Sequence, residues 1–400
     1  ALDYARLALK SDREPTDADR WIASLGFKPE ARLIDAAVEE LGMEVYAFYP
    51  ARVDEPANIT IAVGLTTTGD VGIPLGFGPS SPYKSLPHSF KYKFRDTVGD
   101  GDFMLRARVT IGELIYDLPP QVISRVKNLD ARLAQVKAVA EKADQKTTAT
   151  ETLRSHISLL ESLRERKAQE TGYAANHLLG IVENLARNPT IDVLKNVPGS
   201  WRLTLGDGER RSPCRVYAPA AVKHGKPLPV VIAMHGAGGS ENLFFEGYGA
   251  GKIVRMCADR GWLLVAPRAT GGGGLTMPGI IDELAKHYPV DRKRVFLVGH
   301  SMGAGQALAA VTQSPDRFAG IAALGGGGAV RKPEVFKTVP LFVGCGTEDF
   351  AIRGARGLAK NAKSVVGARV EVKEYEHVEH LVIVQVALPD VFAMFDRLAK

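Results

Sequence analysis

The chain has 400 residues, 45% of them hydrophobic and 24% charged, with 51 Lys and Arg against 45 Asp and Glu for a formal net charge of +6. That describes a globular chain long enough for two domains, and the interspersed charges exclude the basic block by which nucleic-acid-binding surfaces neutralise phosphates. No apolar run approaches the roughly 20 residues of a membrane-crossing helix, and three scattered cysteines, Cys214, Cys257 and Cys345, exclude a disulfide framework or a zinc site. Cys345 reads as a buried free thiol. The first residue, Ala1, is compatible with a removed signal peptide, and so with a secreted or periplasmic protein, or equally with a trimmed N-terminus.

Residues 1 to about 43 carry helical spacing, clearest over Arg32–Leu41 with Gly42 as C-cap, and are expected to form an N-terminal cap. From Met43 to about Tyr116 the pattern changes to short extended runs, Val45–Tyr49, Ile59–Val63 and Phe103–Val109, separated by Gly, Pro and Asp clusters. A cap and a small β-rich domain over residues 1–118 follow. After Pro119-Pro120, apolar residues recur at Val122, Val126, Leu129, Leu133, Val136 and Val139, and again from Leu153 through Ile157, Leu160, Leu163, Leu178, Ile181 and Leu185 to Asn188-Pro189. Two long helices are expected to form an antiparallel hairpin over 119–192, read as a structural spacer packing its own seam rather than as a lid or dimerisation arm.

From about Trp201 strands and helices alternate, the rhythm of a mostly parallel α/β sheet over 195–400. Expected strands are Cys214–Tyr217, Pro229–Met234, Trp262–Ala266, Val295–Val298, Ile321–Leu324, Val339–Val343 and Val370–Glu374. Expected helices are Lys252–Arg260, Ile280–His287, Gly305–Thr312 and Pro389–Leu398.

One of these strands ends in Gly299-His300-Ser301-Met302-Gly303, followed by a small-residue helical pattern. This is the strand–turn–helix of a nucleophile elbow, in which small residues must stand two positions before and after the serine. A serine hydroxyl is a weak nucleophile and needs a histidine base held by a carboxylate, which in this type of sheet follow in the order Ser, acid, His. The acid is expected after the strand ending at Val343, in Gly344-Cys345-Gly346-Thr347-Glu348-Asp349, with Asp349 preferred and Glu348 the alternative. The base is expected after the last strand, where His380 lies nearer the terminal helix and His377 nearer the strand end. An oxyanion hole is expected after Met234, in His235-Gly236-Ala237-Gly238-Gly239-Ser240, with the N–H groups of Ala237 and Met302 as the donor pair. No Lys-Ser/Thr follows this turn, so it is no P-loop, and Gly271–Gly274 reads as a flexible loop on the same grounds.

These motifs, with Glu241-Asn242 after the glycine turn and the tail from His380 through Ala387-Leu388-Pro389-Asp390-Val391-Phe392, resemble those of the α/β-hydrolase superfamily. More narrowly they resemble the carboxylesterases, feruloyl esterases and polyhydroxybutyrate-depolymerase-like hydrolases, over residues 195–400. The resemblance implies a cofactor- and metal-free serine carboxylesterase with Ser301, Asp349 and His380 as triad, acting on a small or polymer-attached ester. It favours His380 over His377. A serine peptidase or thioesterase of the same fold is the enzymic alternative, and an inert hydrolase-fold binding protein the non-enzymic one.

Overall fold

A computed structural model describes residues 24–47, 59–67, 81–82, 87–94, 98–111, 114–143, 146–167, 172–208, 210–268, 276–328 and 330–400. Contact density divides the chain into two units, Ala1–Lys142 with His156–Arg187 and Ala143–Ser155 with Asn188–Lys400.

The first unit carries β1 (Leu25–Pro29), β2 (Leu33–Asp35), β3 (Glu40–Ala47), β4 (Ile59–Thr67), β5 (Ser81–Pro82), β6 (His88–Lys93), β7 (Gly101–Ile111), β8 (Leu114–Asp117) and β9 (Gln121–Val126). One sheet has the order β1-β3-β6 and the other β2-β9-β7-β4-β5, with β8 paired to β7. The helix expected over Arg32–Leu41 is not formed; this stretch supplies β2, a turn and the start of β3. Two features override the helical spacing. Leu41, Met43 and Val45 alternate with more exposed residues along β3, a period of two. Asp35 also competes for the backbone, its Oδ1 accepting the Ala37 N–H at 2.9 Å while its Oδ2 accepts the N–H of Leu129 at 2.9 Å. The rest of the expected cap, residues 1–23, and Phe48-Tyr49 of the first expected strand lie outside the described residues.

The expected hairpin is also revised. Val122 and Val126 belong to β9, and the first helix begins later as α1 (Leu129–Glu141); the second apolar series is divided between α2 (Thr148–Arg164) and α3 (Ala175–Arg187). Spacing by three or four continued across a strand–helix junction, which periodicity alone does not detect. Within the first unit, Arg132 on α1 clasps Glu183 on α3 through two bonds of 2.6 and 2.9 Å.

The second unit carries β10 (Gly199–Asp207), β11 (Arg210–Ala218), β12 (Leu228–Met234), β13 (Leu263–Pro267), β14 (Val290–His300), β15 (Gly320–Leu324), β16 (Leu341–Gly346) and β17 (Val370–Tyr375) in one sheet. Their order is β10-β11-β13-β12-β14-β15-β16-β17. β10 and β11 pair antiparallel, β11 meets β13 antiparallel, and every pairing from β13 to β17 is parallel. This is the expected α/β-hydrolase sheet. Its central strands are continuous apolar runs because helices cover both faces: α4 (Lys252–Arg260), α5 (Met277–Leu284), α6 (Met302–Gln313), α7 (Ile352–Lys363) and α8 (Ile383–Leu398). β10 and α7 were not among the expected elements.

The last helix starts six residues before the expected Pro389 and runs through it. Glu379 receives the Leu381 and Val382 N–H groups at 3.1 and 2.8 Å, which caps the start. Proline cannot bond the carbonyl four residues back, and that carbonyl, Gln385 O, instead accepts from Lys252 Nζ at 2.7 Å. Beneath the sheet, Phe296 of β14 stacks on Phe395 of α8 at 4.5 Å and on Trp262, just before β13, at 5.5 Å, anchoring α8 to the sheet. Among the described residues no helix is long and apolar enough to cross a membrane.

Candidate active site

The parallel strands β12, β14, β16 and β17 all end on one edge, where an α/β sheet presents its functional groups. The chain there runs into His235, Ser301, Asp349 and His380 respectively.

Ser301 stands between β14 and α6 with φ 53° and ψ −115°, a conformation costing about 1–3 kcal/mol in a residue with a Cβ. The surroundings enforce it. A Cβ on Gly299 would lie 2.3 Å from Gly303 O, and one on Gly303 would lie 2.2 Å from Met234 O. Ser301 N–H donates to Leu324 O at 2.9 Å, and Gly326 packs so closely that a Cβ there would be 2.8 Å from Ser301 Cα. The glycine run after β15 is thus part of the elbow, a role its position behind an expected strand could have signalled.

Asp349 and His380 meet within the edge: His380 Nδ1 lies 2.8 Å from Asp349 Oδ1, and the Asp349 side chain is fully buried. A carboxylate only accepts, so Nδ1 donates in this bond, and in the neutral ring the lone pair falls on Nε2. Oδ1 also accepts the Ala351 N–H at 2.7 Å. Burial and the neighbouring Asp349 charge push the Cys345 thiol up to about 12, so this residue stays neutral beneath the carboxylate. All three cysteines are buried and free.

His300 and Tyr248 complete the support. His300 is buried, and burial lowers its pKa to about 4, so the ring is neutral. Its Nε2 lies 2.9 Å from the carbonyl of His380 and must donate there, leaving Nδ1 to accept from Tyr248 OH at 2.7 Å. The His300 and His380 rings are 4.7 Å apart. The residue before Ser301 therefore holds the backbone of the histidine paired with Asp349. Neither Tyr248 nor the role of His300 was legible in the sequence, because both act through tertiary contacts.

The turn after β12 closes through Gly239 N–H to Gly236 O at 3.2 Å, with Gly238 at φ 77° in the position where such a turn needs a glycine. A Cβ on Gly236 would lie 3.3 Å from Ser301 Cβ, so the turn abuts the elbow. Met302, as the first residue of α6, has no intrahelical acceptor for its N–H. Glu241 fixes the far end of the turn: it is completely buried and paired with Arg202 at 2.5 Å and Arg268 at 2.6 Å.

The alternative acid and base lie outside this arrangement. Glu348 and His377 pair with each other at 3.1 Å on the surface, with His377 87% exposed. The Gly271–Gly274 loop lies outside the described residues.

Residues 276–391 match the Phospholipase/Carboxylesterase family. A bifunctional acetylxylan esterase/xylanase of Neocallimastix patriciarum is 29% identical over 160 residues, which make up 36% of this chain and 23% of that protein. Among solved structures, a ferulic acid esterase of Anaeromyces mucronatus aligns with 16% identity and a TM-score of 0.41, over 48% of this chain and 89% of its own. An S-formylglutathione hydrolase of Agrobacterium tumefaciens aligns with 16% identity and a TM-score of 0.39, over 49% and 95%. The C-terminal unit thus has the sheet order of an α/β-hydrolase fold, and residues 276–391 within it are similar to the phospholipase/carboxylesterase family.

Proposed function

We propose that the C-terminal unit is a serine carboxylesterase. The observation that carries this reading is the enclosed His380–Asp349 pair on the same strand edge as the strained Ser301. Ser301 Oγ attacks the ester carbonyl carbon as its proton passes to His380 Nε2, and Asp349 stabilises the imidazolium that forms. The negative charge on the former carbonyl oxygen is met by the N–H groups of Ala237 and Met302, a contribution of about 3 kcal/mol per well-placed donor. Collapse expels the alcohol, whose oxygen takes the proton from His380. Water then attacks the acyl-enzyme, His380 accepts its proton, and the carboxylic acid leaves as Ser301 is restored.

The acetyl esters named for the Neocallimastix patriciarum relative are the first substrates to try. The test compares hydrolysis of p-nitrophenyl acetate, butyrate and octanoate and of methyl ferulate by the full chain and by Ser301→Ala, with fluorophosphonate labelling in parallel. Turnover and labelling that both vanish in the variant are expected. A folded wild-type chain that neither turns over nor labels would reject the reading.

A further inference from the structure

The neighbourhood of His380 contains a side chain that fold and triad do not require. Phe350 follows Asp349 directly, is 80% exposed, and places its ring centroid 4.1 Å from that of His380. Single exposed apolar residues are common and mean little by themselves. This one is held in place: Asp349 accepts the Ala351 N–H through Oδ1 at 2.7 Å and the Ile352 N–H through its carbonyl at 3.1 Å, so Phe350 forms the middle of a pinned turn. On the other loop, Leu381 directly follows His380 and is 62% exposed.

Which part of an ester meets this surface follows from the chemistry of the proposed mechanism, on which the inference rests. The histidine that returns the proton must come within about 3 Å of the leaving alcohol's oxygen. A ring packed at a tilt of 38° against that imidazole therefore stands beside the alcohol portion, whereas the oxyanion turn flanks the acyl carbonyl. We propose that Phe350, together with Leu381 on the His380 loop, forms an apolar rest for the alcohol portion of the substrate, selecting esters of aromatic or alkyl alcohols. Neither side chain offers a hydrogen bond to replace those that a polyhydroxylated alcohol makes with water. Phe350 is thus a specificity-determining residue for the leaving group.

The experiment holds the acyl group constant and varies the alcohol: kcat/KM for methyl acetate, benzyl acetate and an acetylated methyl xyloside, in wild type, Phe350→Ala and Phe350→Leu. Val366→Ser, at an 89% exposed position outside the site, serves as the control. Benzyl acetate is expected to lead in the wild type, and Phe350→Ala to lower the benzyl-to-methyl ratio by about tenfold, the upper range for one aromatic contact. Phe350→Leu should lose less, and Val366→Ser nothing. A ratio unchanged in Phe350→Ala, or a xyloside acetate outrunning benzyl acetate in the wild type, would overturn the inference while leaving the esterase reading intact. Absence of Ser301-dependent turnover on every ester would overturn both.

Discussion

Asp349–His380 and Glu348–His377 are drawn from the same two loops and differ by one residue in the first and three in the second. The inner pair is 2.8 Å apart with its carboxylate fully buried, and the outer pair is 3.1 Å apart with both side chains largely in solvent. The same chemistry therefore sits in two dielectric settings. Water screens the outer pair to a contribution of about 0–1 kcal/mol. The inner pair is desolvated and oriented, so its hydrogen bond selects one imidazole tautomer and leaves Nε2 facing away from Asp349. The comparison teaches that burial, rather than residue type or loop membership, separates a carboxylate that fixes an imidazole from one in a surface contact.

The comparison breaks most sharply on the carboxylates. Asp349→Ala should cut kcat on p-nitrophenyl acetate by about 10⁴-fold with the fold retained, because the His380 tautomer is no longer selected. Circular dichroism and steady-state kinetics together check this, and near-wild-type kcat would move the acid role elsewhere.

Glu241 extends the contrast between buried and exposed carboxylates to stability. Glu241→Ala leaves the mostly buried Arg202 without the Glu241 carboxylate, and should lower unfolding free energy in urea by about 3–5 kcal/mol. A loss below 1 kcal/mol would mean that the turn after β12 is held by other contacts.

His300 sharpens the comparison through pH. Burial lowers its pKa from 6.5 to about 4. Between those values the unfolded chain binds a proton that the folded chain does not, so stability falls as pH drops from about 6.5 to about 4 and this contribution is constant below that. The full window is on the order of 3 kcal/mol. In His300→Gln the dependence of urea stability on pH between 7 and 4 should be shallower by up to one proton; parallel curves would show that His300 titrates normally.

The smallest effect belongs to the outer pair. Glu348→Ala and His377→Ala should each leave kcat/KM within about twofold and stability within ~0.5 kcal/mol. A tenfold activity loss in Glu348→Ala would make the outer pair part of the site.

The sequence by itself determined the features whose causes are local. Continuous apolar runs marked the parallel strands because a strand covered on both faces has no polar side to alternate. Gly299 and Gly303 marked the elbow because the clashes they avoid arise within that strand–turn–helix and with the adjoining strand end. Only the tertiary structure decided what depends on distant partners. Leu41, Met43 and Val45 chose a strand over a helix because a sheet was there to bury one face, and α8 passes through Pro389 because Lys252 accepts the task of bonding Gln385 O. Adjacent Glu348 and Asp349 are chemically near-equivalent in sequence; the fold buries one beside His380 and leaves the other in water. Local sterics and hydrophobic pattern are written along the chain, whereas burial, and with it dielectric and proton position, exists only once remote segments have packed.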